Sequence, residues 1–111
     1  MRLRHAFDAA NEAIGFLRGA AAEDLPRNRE KAYATVFALA TVGEALNAVS
    51  KEFQHAHPEI PWRKAIGLRH RLIHGYHDIQ WDRLWMTVQD DLPALVLLLE
   101  TLLRDAGQPS A

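Results

Sequence analysis

A chain of 111 residues is one domain's worth of protein, large enough for a single core and small enough that pairing with a second copy would add much to its burial. Nearly half of the residues are apolar and 24% are charged, which excludes a disordered tail, and the lack of cysteine excludes disulfides and thiolate metal sites. A net charge of −1 excludes any global field that would pull the whole protein onto nucleic acid.

Leu3, Phe7, Ala10, Ile14, Leu17 and Ala21 recur at three- and four-residue steps, which predicts a first helix of about five turns with one apolar stripe. Glu23-Asp24-Leu25-Pro26 breaks that pattern, and Asn28 is placed to cap a long second helix reaching about His55. Tyr33, Val36, Phe37, Leu39, Val42, Leu46, Val49 and Phe53 cover more than one face of it, with Gly43 and several alanines permitting close approach. It is expected to be the central, most buried element. Glu44 stands inside this apolar stretch, and we read it as a boundary carboxylate that pairs with an arginine or caps a neighbouring helix, in preference to a catalytic group.

His57-Pro58-Glu59-Ile60-Pro61 reads as a linker, because each proline disfavours helix at the residue before it. Pro61 suits the first position of a third helix that carries Trp62, Ile66, Leu68, Leu72 and Ile73 and stops at Gly75. From Trp81 to Leu103 the apolar residues again keep helical spacing, with a bend expected between Gln89 and Pro93, where a backbone donor is missing. No alternating β-branched run competes with these helices. The expected fold is all-α, an antiparallel up-and-down bundle of four to five helices in one domain over residues 1–106, with a frayed tail from 107 to 111. The first dozen residues lack the apolar stretch of an export signal, and the longest clean apolar run, 94–99, is far short of the ~20 residues of a bilayer span. No membrane association is expected, and a cytoplasmic location is.

Charge is unevenly spread. Between Ile60 and His77 lie Arg63, Lys64, Arg69, Arg71, His70, His74 and His77 without one carboxylate. Removing those four Lys/Arg from 13 leaves nine against 14 acidic residues, so the rest of the chain carries −5. The densest part is Arg69-His-Arg-Leu-Ile-His74-Gly-Tyr76. Arg69 is permanently cationic and offers a planar fork of donors to phosphate, whereas His74 changes protonation state near neutral pH.

Other chemistries fit this segment less well. His70 and His74 have the spacing of helical metal ligands, but the zinc-hydrolase pattern needs Glu directly after the first histidine, where Arg71 stands. No metal and no other cofactor is expected. His55 and His57 read as loop residues and His5 as exposed. There is no glycine-rich phosphate loop and no Gly-x-Ser-x-Gly elbow. What remains is acid-base chemistry by histidine with arginine stabilising phosphate charge, which suffices for metal-free RNA cleavage. On a continuous helix, residues 69 and 74 would point ~140° apart, so they would not converge on one phosphate. Either the helix distorts before Gly75, or two copies of the motif meet across a dimer axis; we favour the dimer.

Arg69-x4-His74-x-Tyr76, set between Pro58-Glu59-Ile60-Pro61-Trp62-Arg63-Lys64 and Asp91-Leu92-Pro93, with Trp85 and Val42-Gly43-Glu44-Ala45, resembles the HepT-like branch of HEPN domains along nearly the whole chain. The resemblance implies an all-α homodimer whose two motifs line one cleft. It further implies a metal-independent ribonuclease toxin with tRNA as the expected RNA. Arg69 and His74 take the catalytic positions, and His70, where that branch often has Asn, supplies polar support. Tyr76 matches the tyrosine to which a partner, a minimal nucleotidyltransferase antitoxin, attaches AMP to silence the toxin. Arg63, Lys64, Arg71 and His77 are candidate contacts to RNA phosphates. The alternative is a non-catalytic helical subunit that binds nucleotide or RNA within a nucleotidyltransferase complex.

Overall fold

The computed structural model describes residues 2–73 and 79–105. Seven α-helices follow one another among these residues: α1 (Arg2–Phe16), α2 (Arg29–Asn47), α3 (Lys51–Ala56), α4 (Trp62–Ile66), α5 (Leu68–Leu72), α6 (Trp81–Met86) and α7 (Leu92–Asp105). The protein is all-α, as the periodicity implied. Helices α1, α2 and α7 form the body, with α1 packed along both others, while α4 and α5 lie against α2. Leu17, Leu39, Val42, Leu46, Leu84, Val88, Leu99 and Leu103 are at most 1% exposed and make the centre of one continuous core.

Several boundaries differ from those expected, each for a local reason. The first helix stops at Phe16 and does not reach Ala21, because Gly19 adopts φ 80, a left-handed conformation that glycine alone adopts freely. A 3-10 turn over Ala22–Arg27 then leads to Asn28, whose side chain accepts from Lys31 N at 3.1 Å and caps α2 as expected. The second helix ends at Asn47 and not near His55. Ser50 accepts from Phe53 N and opens the separate helix α3, while Gln54 Nε2 donates to the carbonyl of Leu46 in the last turn of α2 and to that of Val49 just beyond it. Nor is α2 wrapped on all sides: Phe37 is 75% exposed and Tyr33 43%. Glu44 is exposed and makes no ion pair among the described residues, so the expected arginine partner is absent.

Gly43 is where α2 meets α4. A Cβ there would stand 3.0 Å from the Ile66 carbonyl oxygen and 3.3 Å from that of Ala65, so the missing side chain is what admits the α4 backbone. The linker between α3 and α4 is pinned by its aromatics. Trp62 Nε1 donates to His57 O at 2.8 Å, Phe53 meets the Trp62 ring edge-on, and the His57 ring lies 4.4 Å from that of Phe53.

Before Pro93, where a bend is expected, the α-helical hydrogen bonding gives way to a π-turn. Over Thr87–Asp91 the hydrogen bonding widens, so that Leu92 N–H reaches Thr87 O. An extra residue in the turn accommodates a proline ring that would otherwise press on the carbonyl four residues back.

Candidate active site

The expected third helix is two helices. Helix α4 closes at Ile66, Gly67 separates it from α5, and α5 ends at Leu72 with Ile73 already extended (φ −125, ψ 121). On α5, Leu68 and Leu72 are buried, Arg69 and His70 are exposed, and Arg71 is half-buried. A five-residue helix is far too short to hold itself, so these two leucines are what fix the directions in which Arg69, His70 and Arg71 project. They keep α5 against α2 and α6.

The early end of α5 removes the premise on which residues 69 and 74 were expected to diverge by a helical angle, and with it the argument for preferring a dimer on spacing. The backbone has left the helix before residue 74. It is then drawn back: Gln80 N–H donates to Leu72 O at 2.7 Å, and Ile73 pairs with Ile79 in an isolated antiparallel bridge. Ile79 is buried, so both flanks of the intervening stretch are anchored to the core. The helix therefore stops at Leu72 and not at Gly75 as expected, while His74, Gly75, Tyr76, His77 and Asp78, and with them the placement of His74 and Tyr76, lie outside the described residues.

The remaining basic residues divide by engagement. Lys64 Nζ stands 3.7 Å from Asp91 Oδ2, an exposed pair worth little in stability but enough to orient the ammonium. Arg71 Nη1 donates to Lys64 O at 3.4 Å. Arg63, Arg69 and His70 make no hydrogen bond or ion pair among the described residues, which leaves their donors open to an incoming anion. Among those residues no three His, Asp or Glu gather as metal ligands would.

Of the two histidines expected in loops, His55 belongs to the last turn of α3, whereas His57 lies in the linker after it, caps that helix, and donates from Nδ1 to Glu59 Oε2 at 3.1 Å. The Glu59 carboxyl titrates below its ordinary range, first through a backbone hydrogen bond and then through His57. Beside them opens a broad cavity of about 890 Å³, bordered by α3, α4 and α5 and lined by His55, Pro58, Trp62, Arg63, His70 and Arg71 among others, with no carboxylate among its described lining residues. No periodicity links α3 to α5. Only the pinned linker brings them to one hollow.

An all-α bundle that displays open cations beside a concave surface free of carboxylate belongs to the class of small helical proteins equipped to hold a polyanion. Comparison with known proteins narrows the class. Residues 7–102 match the family described as "Ribonuclease HepT-like". The chain is 38% identical over 80 residues to the probable ribonuclease HepT of Thermococcus cleftensis, covering 72% of this chain and 73% of that one. It is 33% identical over 88 residues to a candidate RNase of Methanocaldococcus jannaschii, covering 79% of this chain and 81% of the other. A candidate RNase of Caldanaerobacter subterraneus subsp. tengcongensis is 28% identical over 102 residues, 92% of this chain and 91% of its own. No solved structure matches. The chain therefore belongs to the HepT-like ribonuclease family, of the HEPN type, and its activity class is RNA cleavage. No helix among the described residues is long and apolar enough to cross a membrane.

Proposed function

We propose that this protein is the toxin of a toxin-antitoxin pair, a cytoplasmic, metal-independent endoribonuclease acting on tRNA. One observation carries the chemistry: Arg69 is exposed, without a partner among the described residues, on a helix whose other face is locked into the core. A guanidinium so placed can grip a phosphate in the ground state and stabilise the extra charge of the pentacovalent state. His74 acts as general base or acid. The base removes the proton of a ribose 2′-OH, the oxygen attacks the adjacent phosphorus, and the bond to the 5′-oxygen breaks as that oxygen takes up a proton.

Base and acid are two roles, and the motif offers one His74 per chain. A homodimer with both motifs in one cleft supplies a second imidazole, so the dimer remains the preferred assembly on chemical grounds now that the helical-spacing argument is gone. His70 orients the phosphate, and Arg63, Lys64, Arg71 and His77 contact neighbouring phosphates. The antitoxin is a minimal nucleotidyltransferase that places AMP on Tyr76, adding bulk and negative charge to the motif.

The test is cleavage of tRNA in EDTA by the purified protein beside Arg69→Ala and His74→Ala. Each substitution should slow cleavage by about 10²–10⁴-fold, the usual worth of a positioned acid-base group or charge clamp. Equal cleavage by all three proteins would remove the assignment. Cells that tolerate the wild-type chain as well as they tolerate His74→Ala would point instead to the non-catalytic subunit.

A further inference from the structure

The hollow between α3 and α5 has two properties that are seldom found together on a surface. Its surface is overwhelmingly apolar, with Pro58, Gly67 and the largely buried Trp62 in its lining, and that lining also includes His55, Arg63, Lys64, His70 and Arg71 and no carboxylate among the described residues. The lining is also rigid at Trp62. Trp62 is held by its hydrogen bond to His57 O and by Phe53 against its edge, so the site does not need to be ordered when a ligand arrives. At about 890 Å³ the space exceeds what one phosphate requires.

An apolar surface set among cations matches a ligand that is itself divided into a flat apolar body and an anionic edge. A nucleobase with its flanking phosphates has that division. Paired bases cannot offer their faces, because both faces are stacked within the duplex; only a nucleotide in a single strand, loop or end can be splayed into such a seat. Helix α5 supplies the continuity. His70 and Arg71 face the hollow, and Arg69 precedes them on the same helix, so the phosphate held at Arg69 and the seat lie within the ~10–12 Å diameter of a helix.

We infer that the α3–α5 hollow is a nucleotide seat that holds an unstacked base of single-stranded RNA next to the scissile phosphate, with Arg63 and His55 taking its flanking phosphates. This rests on the ribonuclease reading of Arg69. It makes the substrate a single-stranded loop or end of RNA, and it gives the enzyme a preference that the motif alone does not supply.

Binding separates the seat from the chemistry. A fluorescent 2′-O-methyl oligonucleotide cannot be cut, so its affinity reports the seat whether or not the protein cleaves. Full-length wild type, Arg63→Gln, Pro58→Glu and, as a control remote from the hollow, Arg18→Gln are titrated with this single strand and with a duplex of the same length at several salt concentrations. Pro58→Glu sets a carboxylate in the lining and should weaken single-strand binding about tenfold or more, the scale of one lost base stack. Arg63→Gln should weaken it about fivefold and lower the salt slope by ~0.7, one phosphate contact to a single strand. Duplex binding and Arg18→Gln should be unaffected. Unchanged single-strand affinity in both hollow variants, an equal loss for the duplex, or displacement of the oligonucleotide by poly-glutamate as readily as by unlabelled RNA would overturn the seat. None of those results touches the cleavage assay, and a wild type that binds selectively but does not cut would keep the seat while removing the nuclease.

Discussion

Two substitutions on one five-residue helix should behave oppositely, because α5 is held entirely by packing. Leu72 is 1% exposed and sits on the core side, whereas His70 is exposed beside the α3–α5 hollow. Removing a buried leucine side chain costs its transfer free energy plus a term for the cavity, a range of about 2.7–5.0 kcal/mol. The lower end applies here. Leu72 also borders an open cavity of about 320 Å³ beside Met86, so neighbouring side chains and water can relax into the space. We therefore expect Leu72→Ala to cost about 3 kcal/mol and to lower Tm by on the order of 15 °C. A chain of this length has about 6–17 kcal/mol of stability, so the variant stays folded and can be assayed. His70→Ala, which removes an exposed side chain without a partner among the described residues, should stay within about 0.5 kcal/mol of wild type. Urea unfolding monitored by tryptophan fluorescence gives both values, and RNA cleavage at a temperature where both variants are folded gives the functional half. Leu72→Ala should lose activity well beyond its unfolded fraction, since Arg69 is aimed by the same anchor. A loss of stability below about 1 kcal/mol, or full activity in a destabilised protein, would refute the view that packing of α5 positions the arginine.

Gly43→Val should destabilise by about 1–3 kcal/mol in the same urea assay, because its Cβ meets backbone oxygens at 3.0 and 3.3 Å and α4 must move away; unchanged stability would mean that α2 and α4 are not in backbone contact. Acid titration tests the linker. The Glu59 carboxyl is held below its ordinary value by a backbone hydrogen bond and by His57, so its contribution is present above that ordinary value and is lost as pH falls through the folded one; the Tm advantage of wild type over Glu59→Gln should therefore exist at pH 7 and shrink on acidification. With the nucleotidyltransferase partner and ATP, intact mass should rise by one or more AMP units in wild type and not in Tyr76→Phe, and modification that persists in Tyr76→Phe would move the acceptor elsewhere.

The long helices were legible because their apolar positions recur at a fixed step and their caps have a chemistry. Asn28 marks the start of α2 by a side-chain oxygen that local sequence alone can place, and Pro93 announces an irregular turn before it because its missing N–H is a covalent fact. The boundaries that periodicity missed are set by competition. Between Ala45 and Ala56 the apolar spacing runs on without a break, yet Ser50 caps a new helix and the Gln54 side chain folds back onto the Leu46 carbonyl eight residues away, an arrangement that spacing does not encode. Exposure was misjudged for a related reason. Phe37 has the character of a core residue, but α2 receives α1 on one side and α4 and α5 on others, and the Phe37 face receives none of them.

The site was legible as a list of residues and not as a geometry. Arg69, His70 and Arg71 share a short helix, and what a continuous-helix wheel treats as a fixed angle between positions 69 and 74 is interrupted at Ile73, where the chain turns extended. The interruption has a cause outside the motif. Ile79 is buried and pairs with Ile73, and Gln80 N–H claims the Leu72 carbonyl, so the residues after the motif draw α5 to its end. An insertion between Ile79 and Trp81 would shift that pairing without touching any proposed catalytic group. The helix that carries the arginine of such a motif is thus ended by the buried flank that follows, and a motif match unaccompanied by an apolar pair at the positions of Ile73 and Ile79 says less about where that helix stops than one that has it.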